Sequence, residues 1–309
     1  QDSQVLEGKA PGLMPVPESS VYAYSDIPSL NAVDYHTYPV FDVTIPDQYR
    51  ADVWLQSFAQ AEQTGQLPNL ELIHLPDDHT GGVGNGVPDP VAQVADNDLA
   101  LGRIVDAISH SSFWPSSAIF VVEDDSQDGV DHVDGHRAPA LVISPWSKHG
   151  VVNDTYYTQL NVVRTIEQIL GIAPMNQEDR AAEPMFNAFS TSPDLSPYSA
   201  LPNQVPLTQG LSPKSSDSAK AATWAPASPS SLGVPASELG VYEKWVQWSR
   251  QGRFGGVGAR EDWANPAQLN RLDWYSAHDW KVPYPGDPEI LAPDQVPGRN
   301  LPAPYLGDG

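Results

Sequence analysis

Two short stretches of the chain hold most of its reactive side chains. "PDDHTGG" (76–82) sets Asp77, Asp78 and His79 in a row. "FVVEDDSQDGVDHVDGHRAPALVISPW" (120–146) drives a β-branched apolar segment into Glu123, Asp124 and Asp125, then presents His132 and His136. From Asp77 to His136 there are twelve Asp or Glu against a single Lys or Arg, Arg103. Carboxylates that end a buried strand without partners cost on the order of several kcal/mol each. A divalent cation is the simplest counter-charge, and His79, His132 and His136 can add imidazole nitrogens to it. Mixed His and Asp ligation suits zinc, manganese or iron, whereas an all-oxygen set suits calcium or magnesium. The chain has no Cys, so thiolate zinc sites and disulfides are excluded. An acidic hexapeptide such as "DDSQDG" alone reads as a solvated turn. Two clusters that each join Asp to His favour metal instead. His74 reads as a core residue of a strand, His110 and His149 as helix-end and loop residues, and Thr80 as a loop residue.

The elements that must position these clusters follow from the apolar periods. Residues 47–65, 96–111 and 157–171 have helical spacing, with Asp96 or Asn97 as a cap for the second helix and Gly65 and Gly171 as C-terminal stops. Residues 70–75, 117–123 and 139–144 read as short apolar strands. Alternation of such strands with helices predicts an α/β fold with a mainly parallel sheet covered on both faces. Both acid-and-His clusters then fall just past the C-terminal ends of strands, where open α/β sheets bind ligands. Residues 1–45 read as an extended wrapping segment and 46–189 as the α/β domain. Residues 190–309 read as a loop-rich tail. Its Ser, Pro and Ala-rich start gives way to helices over 236–252 and 266–280, whose aromatics, Tyr242, Trp245 and Trp248 among them, are expected to pack the tail onto the main domain.

The net charge of −23 and pI of about 4.4 argue against nucleic acid or anionic lipid as partner and are compatible with cation binding. No stretch reaches the roughly 18 apolar residues of a membrane span. The chain opens on Gln1, which reads as a processed or internal start, and an extracellular or periplasmic setting is expected.

Four strings, "LPDDHTGG", "VADNDLALGRIVDAISHSSFW", "AIFVVEDDSQDGVDHVDGHRAPALVISPW" and "TIEQILGIAPMNQEDRAAEPM", resemble bacterial phosphoesterases of the alkaline phosphatase superfamily, in the branch often fused to a β-propeller. Phospholipase C and acid phosphatases are more distant relatives. The resemblance runs from about Pro46 to Met185, with echoes in "PDLSPYSALPN" (193–203) and "NRLDWYSAHD" (270–279). It implies an α/β sandwich with one or two divalent ions at the C-terminal edge of the sheet: zinc, or manganese or iron, with calcium also possible. It implies that Asp78, His79 and His136 form one metal site, Asp77 being the alternative to Asp78, and that Asp124 and Asp125 supply the other. His132 is implied to bind metal or to donate a hydrogen bond to the phosphoryl group. The adjacent Asp–His pair departs from the family's usual spacing.

The family's acid–Asn pair and its Ser or Thr nucleophile motif lie in an N-terminal half and have no counterpart in these residues. The chain is therefore expected to be a C-terminal half that works with the N-terminal half as a separate polypeptide, a heterodimer from a processed precursor. The expected function is metal-dependent hydrolysis of a phosphate ester, with the nucleophile supplied by that second chain. The alternative is a calcium-binding structural module without catalysis. A glycosidase fits badly, because adjacent Asp124 and Asp125 do not give the carboxyl separation of about 5–9.5 Å that such enzymes use.

Overall fold

Pro46 and Asp47 start a helix that buries one long face. In this helix, α2 (Asp47–Thr64), Ala51, Val53, Trp54, Phe58 and Ala61 all turn inward. Gly65 ends it in the left-handed conformation, φ 67°, donating its N–H to Ala61 O. A one-turn helix, α1 (Pro28–Asn31), precedes it. The partner of α2 is α3 (Pro90–His110), whose buried face repeats every four residues through Ala92, Asp96, Ala100, Ile104 and Ile108. α2 and α3 pack against each other. Trp54 stacks on Phe58 at 4.7 Å, and Phe58 meets Phe113 at 6.0 Å. The structure is a computed structural model. It describes residues 23–81, 86–124, 138–153, 155–211, 228–251, 271, 274, 275, 278 and 280–286.

The chain divides into two compact units that interleave along the sequence. The first comprises Gln1–Ala118, Ser144–Trp146 and Ser192–Ala222. Within it, the later segment lies along α3 through polar contacts at both ends of the helix. Asp106 Oδ2 accepts from Ala200 N at 2.8 Å, and Ser109 Oγ accepts from Tyr198 N at 3.0 Å. At the start of α3, Asp89 accepts from Ala92 N at 3.0 Å and from Gln209 Nε2 at 3.0 Å, while its own N–H donates to Gln209 O at 2.8 Å. One short side chain thus caps the helix and anchors the returning chain.

The second unit comprises Ile119–Ile143, Ser147–Thr191 and Thr223–Gly309. Its strands β1 (Ile119–Val122) and β2 (Ala140–Ile143) pair with Ile119 opposite Ile143 and Val122 opposite Ala140. Phe189 packs on Phe120 at 6.3 Å and forms an isolated antiparallel bridge to Ser147. α4 (Gln159–Leu170) begins where Asn161 Oδ1 accepts from Thr158 N at 2.6 Å and Thr158 Oγ1 at 2.9 Å, and Gly171 ends it, φ 68°. α5 (Gln177–Ala181) follows, capped by Asn176. Further along are α6 (Pro229–Leu232) and α7 (Leu239–Gln251). Tyr242 of α7 packs with Tyr275 and Trp280 in a cluster rimmed by Leu232, Val234 and Tyr284. The side chains of Trp245 and Trp248 lie outside the described residues, as does most of the helix expected over 266–280.

Mixed helix and sheet is present, but two expectations are corrected. The strands over 117–123 and 139–144 exist, yet they pair antiparallel rather than parallel. A parallel pair needs a crossover, usually a helix, and the acidic, Gly- and His-containing connection has no helical apolar period to supply one. Residues 70–75 are not a strand, since no described residue pairs with them. Leu72 is 90% exposed there, and the backbone is held by side chains instead. Tyr38 Oη donates to His74 O and Asn97 Nδ2 to Leu75 O, each at 2.8 Å. Among the described residues no helix is long and apolar enough to cross a membrane.

The double role of Asp89 makes it a sensitive position. Asp89→Ala should lower unfolding stability by about 1–2 kcal/mol, and Asp89→Ser should recover part of it. Chemical denaturation followed by far-UV circular dichroism measures both. Equal stability of the Ala variant and the parent would contradict the cap.

Candidate functional site

Three buried carboxylates converge in the first unit. Asp47 is the first residue of α2, Asp77 opens a 3-10 turn (Asp77–His79), and Asp96 lies mid-way along the buried face of α3. They are 0%, 3% and 1% exposed. Each offers one oxygen, and these oxygens all lie within 4.8 Å of one another.

The surrounding bonds fix the three acids in place. Asp47 Oδ2 accepts from Asp77 N at 3.0 Å and from Asn97 Nδ2 at 3.1 Å. Its other oxygen accepts from Arg50 Nη1 at 3.2 Å. Asp96 Oδ2 accepts from Asp47 N at 2.6 Å, which satisfies a helix-start N–H that would otherwise be orphaned. Gln48 Nε2 ties the same place on α3 by donating to Asp96 O at 2.7 Å. Arg50 is itself fully buried and forks onto Ile45 O, Val40 O and Asp42 O. Two oxygens remain without a hydrogen-bond partner, Asp77 Oδ1 and Asp96 Oδ1.

Three acids against one guanidinium leave the group anionic, and the ionisation of all three responds. Burial pushes Asp47 up to about 7, outweighing the donors from Asp77 N and Arg50. Burial also pushes Asp77 up strongly, and the neighbouring Asp47 and Asp96 charges add to it. Asp96 is raised by burial as well. Such a cluster can hold protons or a cation.

The residues singled out by sequence divide between the two units. Asp78 and His79 sit beside Asp77 in the same turn, Asp78 half-buried and His79 exposed. His79 Nδ1 lies 3.2 Å from Thr80 O, and the ring meets Phe41 edge-on at 5.1 Å. With Nδ1 donating to that carbonyl, Nε2 is the nitrogen suited to a metal. Thr80 has φ 59°, a rare conformation for a β-branched residue. It is held by its own N–H to Asp77 O at 3.1 Å and by Gly81 N to Gln93 Oε1 at 2.8 Å. Asp124 is exposed just past β1 in the second unit, where Gln159 Nε2 donates to Asp124 O at 2.6 Å and Glu123 O at 3.1 Å. Asp125, His132 and His136 lie outside the described residues.

The sequence does not single out Asp47, and it offers Asp96 or Asn97 as a helix cap. The signal for Asp96 was available: an acid falls in register with Ala92, Ala100 and Ile104 on the buried stripe. Asp89 followed by Pro90 marks the real start of α3. Asp47 gave no such warning, because an acid in the first turn of a helix is ordinarily a dipole residue.

Comparison with known proteins adds one finding. Residues 34–173 match the Phosphoesterase family. The match spans just under half of the chain and takes in α2, Asp47, the Asp77–His79 turn, α3, both strands and the acidic connection between them. Nothing among the curated proteins matches, and no solved structure does.

The raised carboxyls set a pH dependence for the metal-free protein. An unfolded Asp titrates near about 3.9, and these titrate higher when folded. Between those values the folded state holds more protons than the unfolded state, so stability falls as pH rises. Melting temperature in excess chelator should therefore drop from pH 5 to pH 8. Asp77→Asn, which removes one titrating acid, should flatten that slope. Separately, Arg50→Met should cost about 3–5 kcal/mol by leaving Asp47 without its cation, as measured by denaturant titration.

Proposed function

We propose that this chain takes part in metal-dependent hydrolysis of a phosphate ester, as part of a phosphoesterase of the alkaline phosphatase superfamily. The observation that carries the reading is the match of residues 34–173 to the Phosphoesterase family. It coincides with the region where carboxylates and imidazoles cluster, from Asp77 to His136.

The donor set fits a divalent ion. Asp78 and His79 lie side by side in one turn, with Nδ1 of His79 engaged by a carbonyl in the way that orients a ligating imidazole. Asp124 follows a strand, with its backbone tied to Gln159. Asp78, His79 and His136 are proposed for one ion, Asp124 and Asp125 for another, and His132 for a metal or the phosphoryl group. Zinc, manganese or iron suits the sites that include His. When bound, such an ion polarises phosphoryl oxygens and lowers the pKa of the nucleophile. The contribution of the chain itself is positional. The Asp47 network fixes the turn that carries Asp78 and His79, so that these two donors need little reorganisation to meet an anionic ester.

The nucleophile is proposed to come from a second polypeptide carrying the N-terminal half, because the motif that supplies it in the resembled family has no counterpart here. Thr80 is the nearest hydroxyl to the first cluster, and its strained backbone and loop setting suit holding the turn.

The native protein, purified with whatever remains bound to it, should hydrolyse an aryl phosphate monoester or diester and lose that activity in chelator. Asp124→Ala and His79→Ala should each lower kcat/KM by about 10–100-fold or more with an unchanged circular dichroism spectrum. Full activity in chelator would exclude the reading. Intact mass and native electrophoresis should reveal the second polypeptide. Robust turnover by a monodisperse monomer of this chain alone would place the nucleophile within its 309 residues.

A further inference from the structure

We infer that Asp47, Asp77 and Asp96 form a buried, all-oxygen binding site for one divalent cation of the calcium, magnesium or manganese type, separate from the Asp–His residues proposed for catalysis. Three carboxylates alone would not show this. The added observation is that Asp77 Oδ1 and Asp96 Oδ1, on side chains 3% and 1% exposed, are met by no N–H donor, whereas both oxygens of Asp47 and Oδ2 of Asp96 are.

Size and charge both fit. Ligand oxygens on opposite sides of an ion at about 2.1–2.4 Å stand up to about 4.8 Å apart, and the three candidate oxygens lie within 4.8 Å of each other. Once fully ionised to hold an ion, the triad would carry three negative charges against one from Arg50, so a divalent cation would bring the site to neutrality. Asp47 is still able to ligate, because its Arg50-bound oxygen has accepted only one bond. The donors are all carboxylate, which selects a hard cation over zinc. The ion would join three elements: the first residue of α2, the turn before Thr80, and the second turn of α3. Its role is structural, holding the turn that bears Asp78 and His79.

The test uses the native protein and the His79→Ala/Asp124→Asn double variant, which removes a donor from each proposed catalytic ion site and spares the triad. Metal content is measured by mass spectrometry of the eluted protein, and melting temperature is measured with Mn²⁺ or Ca²⁺ against chelator. The expected result is about one ion per chain retained in the double variant and lost when Asp77→Asn or Asp96→Asn is added to it. The melting temperature should rise by about 5 °C or more with Mn²⁺ or Ca²⁺ relative to chelator in the parent and should not change in the triad variants. Three results overturn the inference. One is metal content that falls to zero in the double variant and is indifferent to Asp96→Asn, which leaves the catalytic reading standing. Another is ion content unchanged by both triad variants. The third is an ion-free parent together with an Asp77→Asn variant at least as stable, which means that the two acids share a proton instead.

Discussion

The first unit is organised around charge that cannot reach water. Asp47, Asp77, Asp96 and Arg50 lie between α2 and α3 with almost no exposure. Ion pairs in such places seldom add stability over apolar packing, because desolvation offsets most of the attraction. What they do is make wrong arrangements costly. A one-turn slip of α3 against α2 would leave Asp96 without Asp47 N and Asp47 without Asn97, each an uncompensated buried group. The apolar contacts of Trp54, Phe58, Ile104 and Ile108 are far less particular about register. In this unit the apolar stripes supply the attraction and the acids supply the alignment.

The same network explains how an irregular stretch is kept in one shape. Residues 70–79 have no ladder of backbone bonds to rely on. Their carbonyls and N–H groups are met by side chains from α2, α3 and the segment before α2: Tyr38 at His74, Asn97 at Leu75, and Asp47 at Asp77. The positive φ of Thr80 is tolerated because bonds on both sides hold it. Strain of this kind persists where the surroundings over-determine the backbone. Here the surroundings are the buried acids and Gln93, and the strained residue directly follows His79.

Much of this could be read from the sequence where one signal dominated. Helical periods gave α2, α4 and α7 within a few residues, and Gly65 and Gly171 gave two of their ends. The strands over 119–122 and 140–143 were legible from their apolar runs. Their relative direction was not, because strand composition does not encode it and the crossover argument depended on a third strand. That third strand failed at Leu70–Leu75. Its short run of apolar residues suits a strand, but a strand is a relation between two segments and composition reports on only one. The turn bearing Asp78 and His79 stands out in the sequence as a place of concentrated donors. The buried acids around it were harder to see, since Asp47 and Asp96 come from helices 49 residues apart in sequence. Only packing brings them together.

That separation bears on what kind of site each cluster can be. Asp78, His79 and Asp124 are at least partly open to solvent, so donors there can exchange water for an anionic ester without opening the core. Asp47, Asp77 and Asp96 cannot, because each sits at 3% exposure or less. A substrate reaching them would have to part α2 from α3. The two groups are nevertheless joined through consecutive residues, since Asp77 belongs to the buried set and Asp78 to the accessible one. The peptide between them is clamped on its N-terminal side by Asp47 and on its C-terminal side by the bond from Thr80 N to Asp77 O. A change in the charge balance of the buried group therefore acts on the accessible donors through one rigid turn and needs no longer path.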